Sequence, residues 1–198
     1  MDSSQLTDIL ALINDVLQSI IVIFGSAVVL FYSNRMLRSA FTRAFILLIG
    51  FFVIVYLSEL LVRRIVVPTS AELWLRIGWI GIAMVPAAQF HLSSVLLAST
   101  GKLPNYRRFL VPGAYLLGGV FAALALFTDL VAGGPIQTSQ GIRLSMGSLF
   151  PIFAFYFWAV SISGIYNVWR ARQRCMTRTS RRRMTNTLIA FLAAPLAV

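Results

Sequence analysis

The chain has 198 residues and a formal net charge of +11, yet 59% of its residues are hydrophobic and only 12% are charged. A soluble domain is typically about half apolar and about a quarter charged, so this composition excludes an ordinary soluble globule and indicates that lipid solvates much of the chain. The basic residues lie between long apolar runs rather than along one soluble face, and we therefore predict no nucleic-acid partner.

The apolar runs predict an all-α integral membrane protein with a bundle of six transmembrane helices. Continuous runs of roughly 20 apolar residues are typical of membrane-spanning helices, whereas the strands of a membrane barrel alternate. In chain order the predicted spans are residues 12–32, 41–61, 73–98, 109–127, 149–169 and 187–198. We treat residues 1–198 as a single transmembrane domain.

The basic residues predict the orientation, because they accumulate on the cytoplasmic side of a membrane. The segments after the first, third and fifth predicted spans carry 13 of the 17 basic residues, and all six acidic residues fall on the opposite side. We therefore predict that the N-terminus lies outside and that the protein is a multi-pass protein of the bacterial inner membrane.

The sixth apolar run is too short to span as given and is still apolar at Val198. This pattern favours the N-terminal part of a longer protein, in which a seventh helix would lead to a cytoplasmic output domain. The alternative is a complete short protein that ends in a hydrophobic arm.

The long outer loop, residues 128–148, is polar and punctuated by glycine. Ile136 and Thr138 alternate with polar neighbours before residues 139–141, and Ile142 and Leu144 do so after them. The loop is therefore either a short β-hairpin that lies over the bundle or an irregular segment.

Residues of the usual catalytic sites are few. The single histidine and the single cysteine do not supply a zinc site of the usual kind, and no Gly-rich phosphate loop precedes a lysine. No nucleophile with a neighbouring base is evident. We therefore predict that this chain is not an enzyme and that it has no cofactor.

His91 is an ionisable residue within the third span, and such residues usually face the interior of a helix bundle. Ala83 and Ala87 share its face of the helix, and Gln89 and Ser94 lie close to it in sequence. These residues predict a polar ligand pocket lined by His91, Gln89 and Ser94. The alternatives are ordinary hydrogen bonds between helices and a pigment-ligating role for His91.

A second polar group lies at the outer ends of the helices: Asn14, Asp15, Gln18, Glu59, Arg63, Arg64, Glu72 and Arg76, with Trp74 and Trp79 beside them. Asp15, Glu59 and Arg63 would converge as the mouth of a ligand site, and Asp15, Glu59 and Trp74 are ligand-binding candidates. The alternative is a solvated rim with the aromatic belt that membrane proteins carry at the interface.

The strongest local charge follows the fifth span, in Arg170, Arg172, Arg174, Arg178, Arg181, Arg182 and Arg183. We predict that these arginines bind anionic lipid headgroups, at about 1 kcal/mol for each basic residue near the surface.

Ala114, Gly118 and Ala122 form a stripe of small residues on the fourth span. The stripe is more typical of tight packing within the bundle than of a dimer face. The protein partners that we consider are a second copy of the chain, in a homodimer, and a larger membrane complex.

Residues 73–83 (Leu-Trp-Leu-Arg-Ile-Gly-Trp-Ile-Gly-Ile-Ala), followed by Pro86, His91 and Thr100-Gly101, resemble the seven-helix N-terminal region of bacterial membrane-bound histidine kinases. That region has an apolar helix with a proline, a histidine a few residues later and a Thr-Gly at its inner end. Residues 147–156 resemble the Gly-x-Leu-Phe start of the region's fifth span. The match covers about residues 73–169, and it departs from the family where Leu92, not an aromatic residue, follows the histidine.

The resemblance implies a membrane-embedded sensory or anchoring module of a bacterial signalling protein, which would pass a ligand signal or the state of the membrane to an output domain. It names no ligand, so the partners expected are anionic lipid and an unknown small molecule. The alternative function is a structural accessory subunit of a larger membrane complex, with or without pigments.

Overall fold

A computed structural model describes residues 3–35, 39–65, 68–101, 107–138 and 141–196. In these ranges the elements are the helices α1 (Ser3–Arg35), α2 (Ala40–Arg64), α3 (Pro68–Ala98) and α4 (Arg107–Phe127), the strands β1 (Ala132–Thr138) and β2 (Gly141–Met146), and the helices α5 (Phe150–Arg174) and α6 (Arg178–Leu196).

The helical membrane architecture is confirmed: within the described ranges, α1 to α5 are long and apolar enough to cross a membrane. The sixth span is not confirmed. α6 begins at Arg178, nine residues before the predicted start, and is not among these five helices. Its first turns carry Arg178, Arg181, Arg182 and Arg183, charges that lower its hydropathy. A crossing by residues 187–198 therefore remains a prediction.

α3 is the central helix of the bundle and packs against α2, α4 and α5. Its approach to α2 depends on Gly81, where an added Cβ would lie 2.6 Å from the Phe51 carbonyl oxygen. Small residues allow helix backbones to come this close in a membrane, where packing and not the exclusion of water drives association. α1 packs against α2 at the edge of the bundle.

The small-residue stripe of α4 packs within the bundle, as predicted. Ala114 and Ala122 are buried, and a Cβ added at Gly118 would lie 2.8 Å from Tyr156 Oη and 2.9 Å from the Ala83 carbonyl oxygen. The stripe therefore seats α4 against both α3 and α5.

The loop of residues 128–148 forms the β-hairpin that was one of its two predicted structures. β1 and β2 pair antiparallel, with Pro135 opposite Leu144 and Thr138 opposite Gly141. Gly141 has a φ of +120°, a conformation that favours glycine. The tip of the hairpin, Ser139 and Gln140, lies outside the described residues.

The hairpin is held against the bundle at its base. Val131 and Ala132 are fully buried in the aromatic core formed with Phe121, Phe153 and Tyr156. The Leu149 backbone N–H donates to the Leu130 carbonyl at 2.7 Å. These contacts fix the position of the hairpin over one end of the helix bundle.

α6 packs mainly on α5 and begins with an N-cap. The backbone N–H of Ser180 donates to Thr177 Oγ1 at 3.3 Å, a frequent way to satisfy a donor at a helix start. Arg172 Nε on α5 donates to Thr185 Oγ1 on α6 at 2.9 Å. The last turns of α5 and the first turns of α6 therefore form one arginine-rich end of the molecule.

Candidate functional site

A cavity of about 550 Å³ lies at the end of the bundle that carries the hairpin; we call it the outer cavity. Residues of three helices and the hairpin line it: Asn14, Gln18, Glu59, Val62, Arg63, Ile65, Leu75, Gln137, Gly141, Ile142 and Arg143. Its volume falls within the range of small-molecule sites. Glu59 lines the cavity, as its candidate role requires.

Two polar contacts between α1 and α2 shape the wall of the outer cavity. Gln18 Nε2 donates to Glu59 Oε2 at 2.8 Å, and Arg63 forms an ion pair with Asp15. The predicted convergence of Asp15, Glu59 and Arg63 is thus present in the structure. Asp15 acts as the partner of Arg63 and is not itself one of the lining residues.

Gln18 is 6% exposed, and its Oε1 has no hydrogen-bond partner among the described residues. A buried amide oxygen without a partner costs about 1–3 kcal/mol. With Glu59 and two arginines also on the wall, the outer cavity presents both signs of charge and both donors and acceptors. A small polar or zwitterionic molecule matches this lining.

Trp74 is half-buried on α3 and does not line the outer cavity, whereas its neighbour Leu75 does. One turn of α3 also holds the base of the hairpin. Arg76 donates to Glu72 at 2.9 Å, to Asp129 at 2.5 Å and to the carbonyl of Ala125 at 2.9 Å. Its contacts therefore fasten α3 to the end of α4, where the hairpin begins.

Gln89, the first of the predicted inner-pocket residues, is buried and contacts α6. Its Nε2 donates to the carbonyl oxygen of Phe191 at 3.1 Å. Pro195 follows Phe191 by four residues, and a proline has no backbone N–H to offer the carbonyl four residues before it. The side chain of Gln89 supplies the donor that α6 itself lacks.

His91 contacts α4. Its Nδ1 lies 3.2 Å from Tyr115 Oη, and the two rings meet edge to face, with centroids 5.8 Å apart. This contact is a hydrogen bond between helices, which was one of the alternatives that the sequence left open for His91.

Ser94 contacts α5, where Asn167 Nδ2 lies 3.5 Å from Ser94 Oγ and 3.3 Å from Ser93 Oγ. Gln89, His91 and Ser94 thus reach three different helices and do not line one common pocket. What the structure shows of them is contact between helices, and a ligand-binding role for each stays a prediction.

Sequence reasoning missed two buried polar residues of α5. Tyr156 Oη lies 3.1 Å from the Ala114 carbonyl and 3.3 Å from that of Ala83, so this hydroxyl joins α5 to α3 and α4. Asn167, 2% exposed, anchors the other end of α5. Asn167 was detectable as an amide within an apolar run, whereas the contacts of Tyr156 depend on the pairing of distant helices.

The seven arginines predicted to bind lipid headgroups lie at the arginine-rich end. Arg178, Arg181, Arg182 and Arg183 are exposed on α6, and Arg170, Arg172 and Arg174 are half-buried on α5. Their binding to lipid stays a prediction.

The part of the chain that the structure describes brings together no group of three or more His, Cys, Asp or Glu residues suited to a metal ion. Comparison of the chain with models of protein families, with curated proteins and with solved structures found no match. Over the residues that the structure describes, the fold defines a helical protein with five potential membrane spans and a β-hairpin over one end.

Proposed function

We propose that this chain is the sensory module of a membrane-embedded signalling protein, and that the outer cavity binds a small polar or zwitterionic molecule such as an amino acid. The lining supports this ligand class because it combines Glu59 with Arg63 and Arg143 and adds the amide groups of Asn14, Gln18 and Gln137.

One observation carries the signalling part of the proposal. α3 contributes Leu75 to the wall of the outer cavity and, fourteen residues on, holds α6 through Gln89. At 1.5 Å per residue these positions are about 21 Å apart along the helix. A molecule that fits the cavity better in one packing of α3 shifts the bundle towards that packing, and α6 follows through its bond to Gln89.

The proposal includes the orientation, with the N-terminus and the outer cavity outside and the arginine-rich end in the cytoplasm. The distribution of basic residues supports it. Single cysteines at Thr138 and Thr179, which are both exposed, test it in a Cys175→Ser background. An impermeant thiol reagent added outside intact cells should label position 138; labelling of position 179 instead would reverse the orientation.

The ligand part is tested by thermal unfolding of the full chain in lipid nanodiscs with a panel of amino acids, small dicarboxylates and polyamines. A compound present at about 100 times its Kd stabilises by about 2.7 kcal/mol, which for a chain of this size raises Tm by roughly 5–10 °C. Gln18→Leu should abolish the rise because it removes a polar group from the cavity wall. Gln173→Leu, the same change at an exposed position of α5, should preserve it.

A panel in which no compound raises Tm would contradict the ligand class. A rise that persists in Gln18→Leu would place the binding site elsewhere.

A further inference from the structure

A second cavity, which we call the inner slot, runs between α2, α3 and α6 at the arginine-rich end. Its volume is about 690 Å³. The lining is almost wholly apolar and aromatic: Phe41, Phe45, Leu48, Ile49, Phe52, Tyr56, Gln89, Leu92, Leu96, Arg183, Met184, Thr187, Ala190 and Phe191.

The inner slot is long. Along α2 its wall extends from Phe41 to Tyr56, a rise of about 22 Å, which exceeds the ~15 Å half-thickness of a bilayer's hydrocarbon core. An extended hydrocarbon chain matches a slot of this length, because the lining is almost wholly apolar.

One cationic side chain, that of Arg183, lies at the arginine-rich end of the slot. Arg183 is exposed and lines the slot, and Phe191, on the same face of α6, lies about 12 Å deeper along the helix. Arg178, Arg181 and Arg182 lie on the turns around it. The carboxylates whose side chains the structure describes, Asp15, Glu59, Glu72 and Asp129, belong to the opposite end of the helices.

The start of α6 adds to this positive potential. Its N-terminus lies at Arg178, and the helix dipole places partial positive charge there. An apolar channel with a guanidinium at its mouth matches a molecule that joins a hydrocarbon chain to an anion.

We propose that the inner slot binds one acyl chain of an anionic phospholipid, with the lipid phosphate bound by Arg183. The length and the apolar lining of the slot match a hydrocarbon chain, and the charge at the mouth selects an anionic headgroup over a neutral one. The lipid then lies between α2 and α6 and stabilises α6 in its docked position. The residues that line this site are separate from those that line the outer cavity.

The test uses the full chain in phosphatidylcholine nanodiscs that contain a phosphatidylglycerol with a photoactivatable group on its acyl chain. After irradiation, mass spectrometry maps the adducts. We expect them on residues 41–56 of α2 and 184–191 of α6, and we expect few from a photoactivatable phosphatidylcholine. Inorganic phosphate in excess should not displace them, because it lacks the chain.

Two pairs of variants separate the slot from general attraction to a charged surface. Ala190→Phe fills the slot and should remove most adducts, whereas Ala123→Phe, on an exposed face of α4, should not. Arg183→Gln should lower the adduct yield more than about tenfold, because it removes a charge-assisted hydrogen bond to the lipid phosphate. Arg182→Gln removes the same charge without that bond and should lower the yield no more than about fivefold, the effect of one basic residue near the surface.

Adducts spread evenly over all the helices would overturn the proposal, as would equal yields from the two lipids. Loss of the adducts in phosphate would show a free-anion site instead. Arg183 and Arg182 are both exposed on α6, so their replacement should not unfold the chain. The comparison of Arg183→Gln with Arg182→Gln therefore tests the proposal even if Ala190→Phe fails to fold.

Discussion

Gln89 and Phe191 are 102 positions apart in sequence, and a buried hydrogen bond joins them: the side-chain amide of Gln89 donates to the backbone carbonyl of Phe191 at 3.1 Å. Pro195, which cannot donate to that carbonyl within α6, explains why the donor must come from outside the helix. The attachment of α6 to the central helix α3 therefore depends on a hydrogen-bond donor in the side chain at position 89.

Gln89→Leu should destabilise the chain by about 1–3 kcal/mol, because it leaves the Phe191 carbonyl buried without its donor. Pro195→Ala restores a backbone N–H four residues after Phe191, so Gln89→Leu should cost less in that background. Unfolding titrations of the four proteins in mixed micelles give the interaction energy between the two positions.

The double-mutant cycle also supplies the control. If the two substitutions change the free energy of unfolding additively, residue 195 and Gln89 do not both act on the Phe191 carbonyl. That result would contradict the account of how α6 is held.

Gly118→Ala adds only one methyl group but should destabilise the chain by about 1–3 kcal/mol. The new Cβ would clash with Tyr156 Oη and with the Ala83 carbonyl oxygen. Gly113→Ala is the matched control on the same helix, since no atom lies within 4 Å of its added Cβ. The higher helix propensity of alanine makes that control neutral or stabilising. Similar melting temperatures for the two variants would refute the packing described for α4.

His91→Phe should disturb the bundle more than His91→Gln, which keeps a group able to bond with Tyr115 Oη. Tyr115→Phe should cost about 0.5–1.5 kcal/mol, as for the loss of one hydrogen bond, and should add little in a His91→Phe background. Thermal unfolding in nanodiscs measures all four proteins. If Tyr115→Phe lowers the stability as much in the His91→Phe background as in the original chain, the two side chains do not interact.

Arg76→Met should cost about 2–3 kcal/mol, because it strips charge-assisted bonds from a side chain that is only 14% exposed. Arg63→Met removes a more exposed ion pair, with side chains 40% and 46% exposed, and should cost less than about 1 kcal/mol. Hydrogen exchange of the hairpin amides should rise in Arg76→Met alone. Equal exchange in both variants would show that Arg76 does not hold the base of the hairpin.

The sequence was sufficient to predict the five long helices, because a run of about 20 apolar residues has few other structures open to it. It was not sufficient for the start of α6. The arginines from Arg178 to Arg183 interrupt the hydropathy pattern, but a capped helix that packs on α5 accommodates them.

Gln89, His91 and Ser94 contact different helices for a geometric reason. Successive residues of a helix are about 100° apart, so Gln89 and His91, two positions apart, point to nearly opposite sides of α3. Asp15, Glu59 and Arg63 were predictable as a group because each lies near an outer helix end. Gln137 and Arg143 line the outer cavity because the hairpin folds back over α1 and α2, and no local sequence pattern predicts that position.

The most direct test of the proposed function is a distance measured across the inner end of the bundle. Spin labels at Ala98 and Thr179, both exposed, report the position of α6 relative to α3 in a Cys175→Ser background. A compound that raises Tm through the outer cavity should shift the distance distribution between the two labels, and Gln89→Leu should weaken that shift. An unchanged distribution at saturating compound would contradict the claim that the outer cavity controls α6.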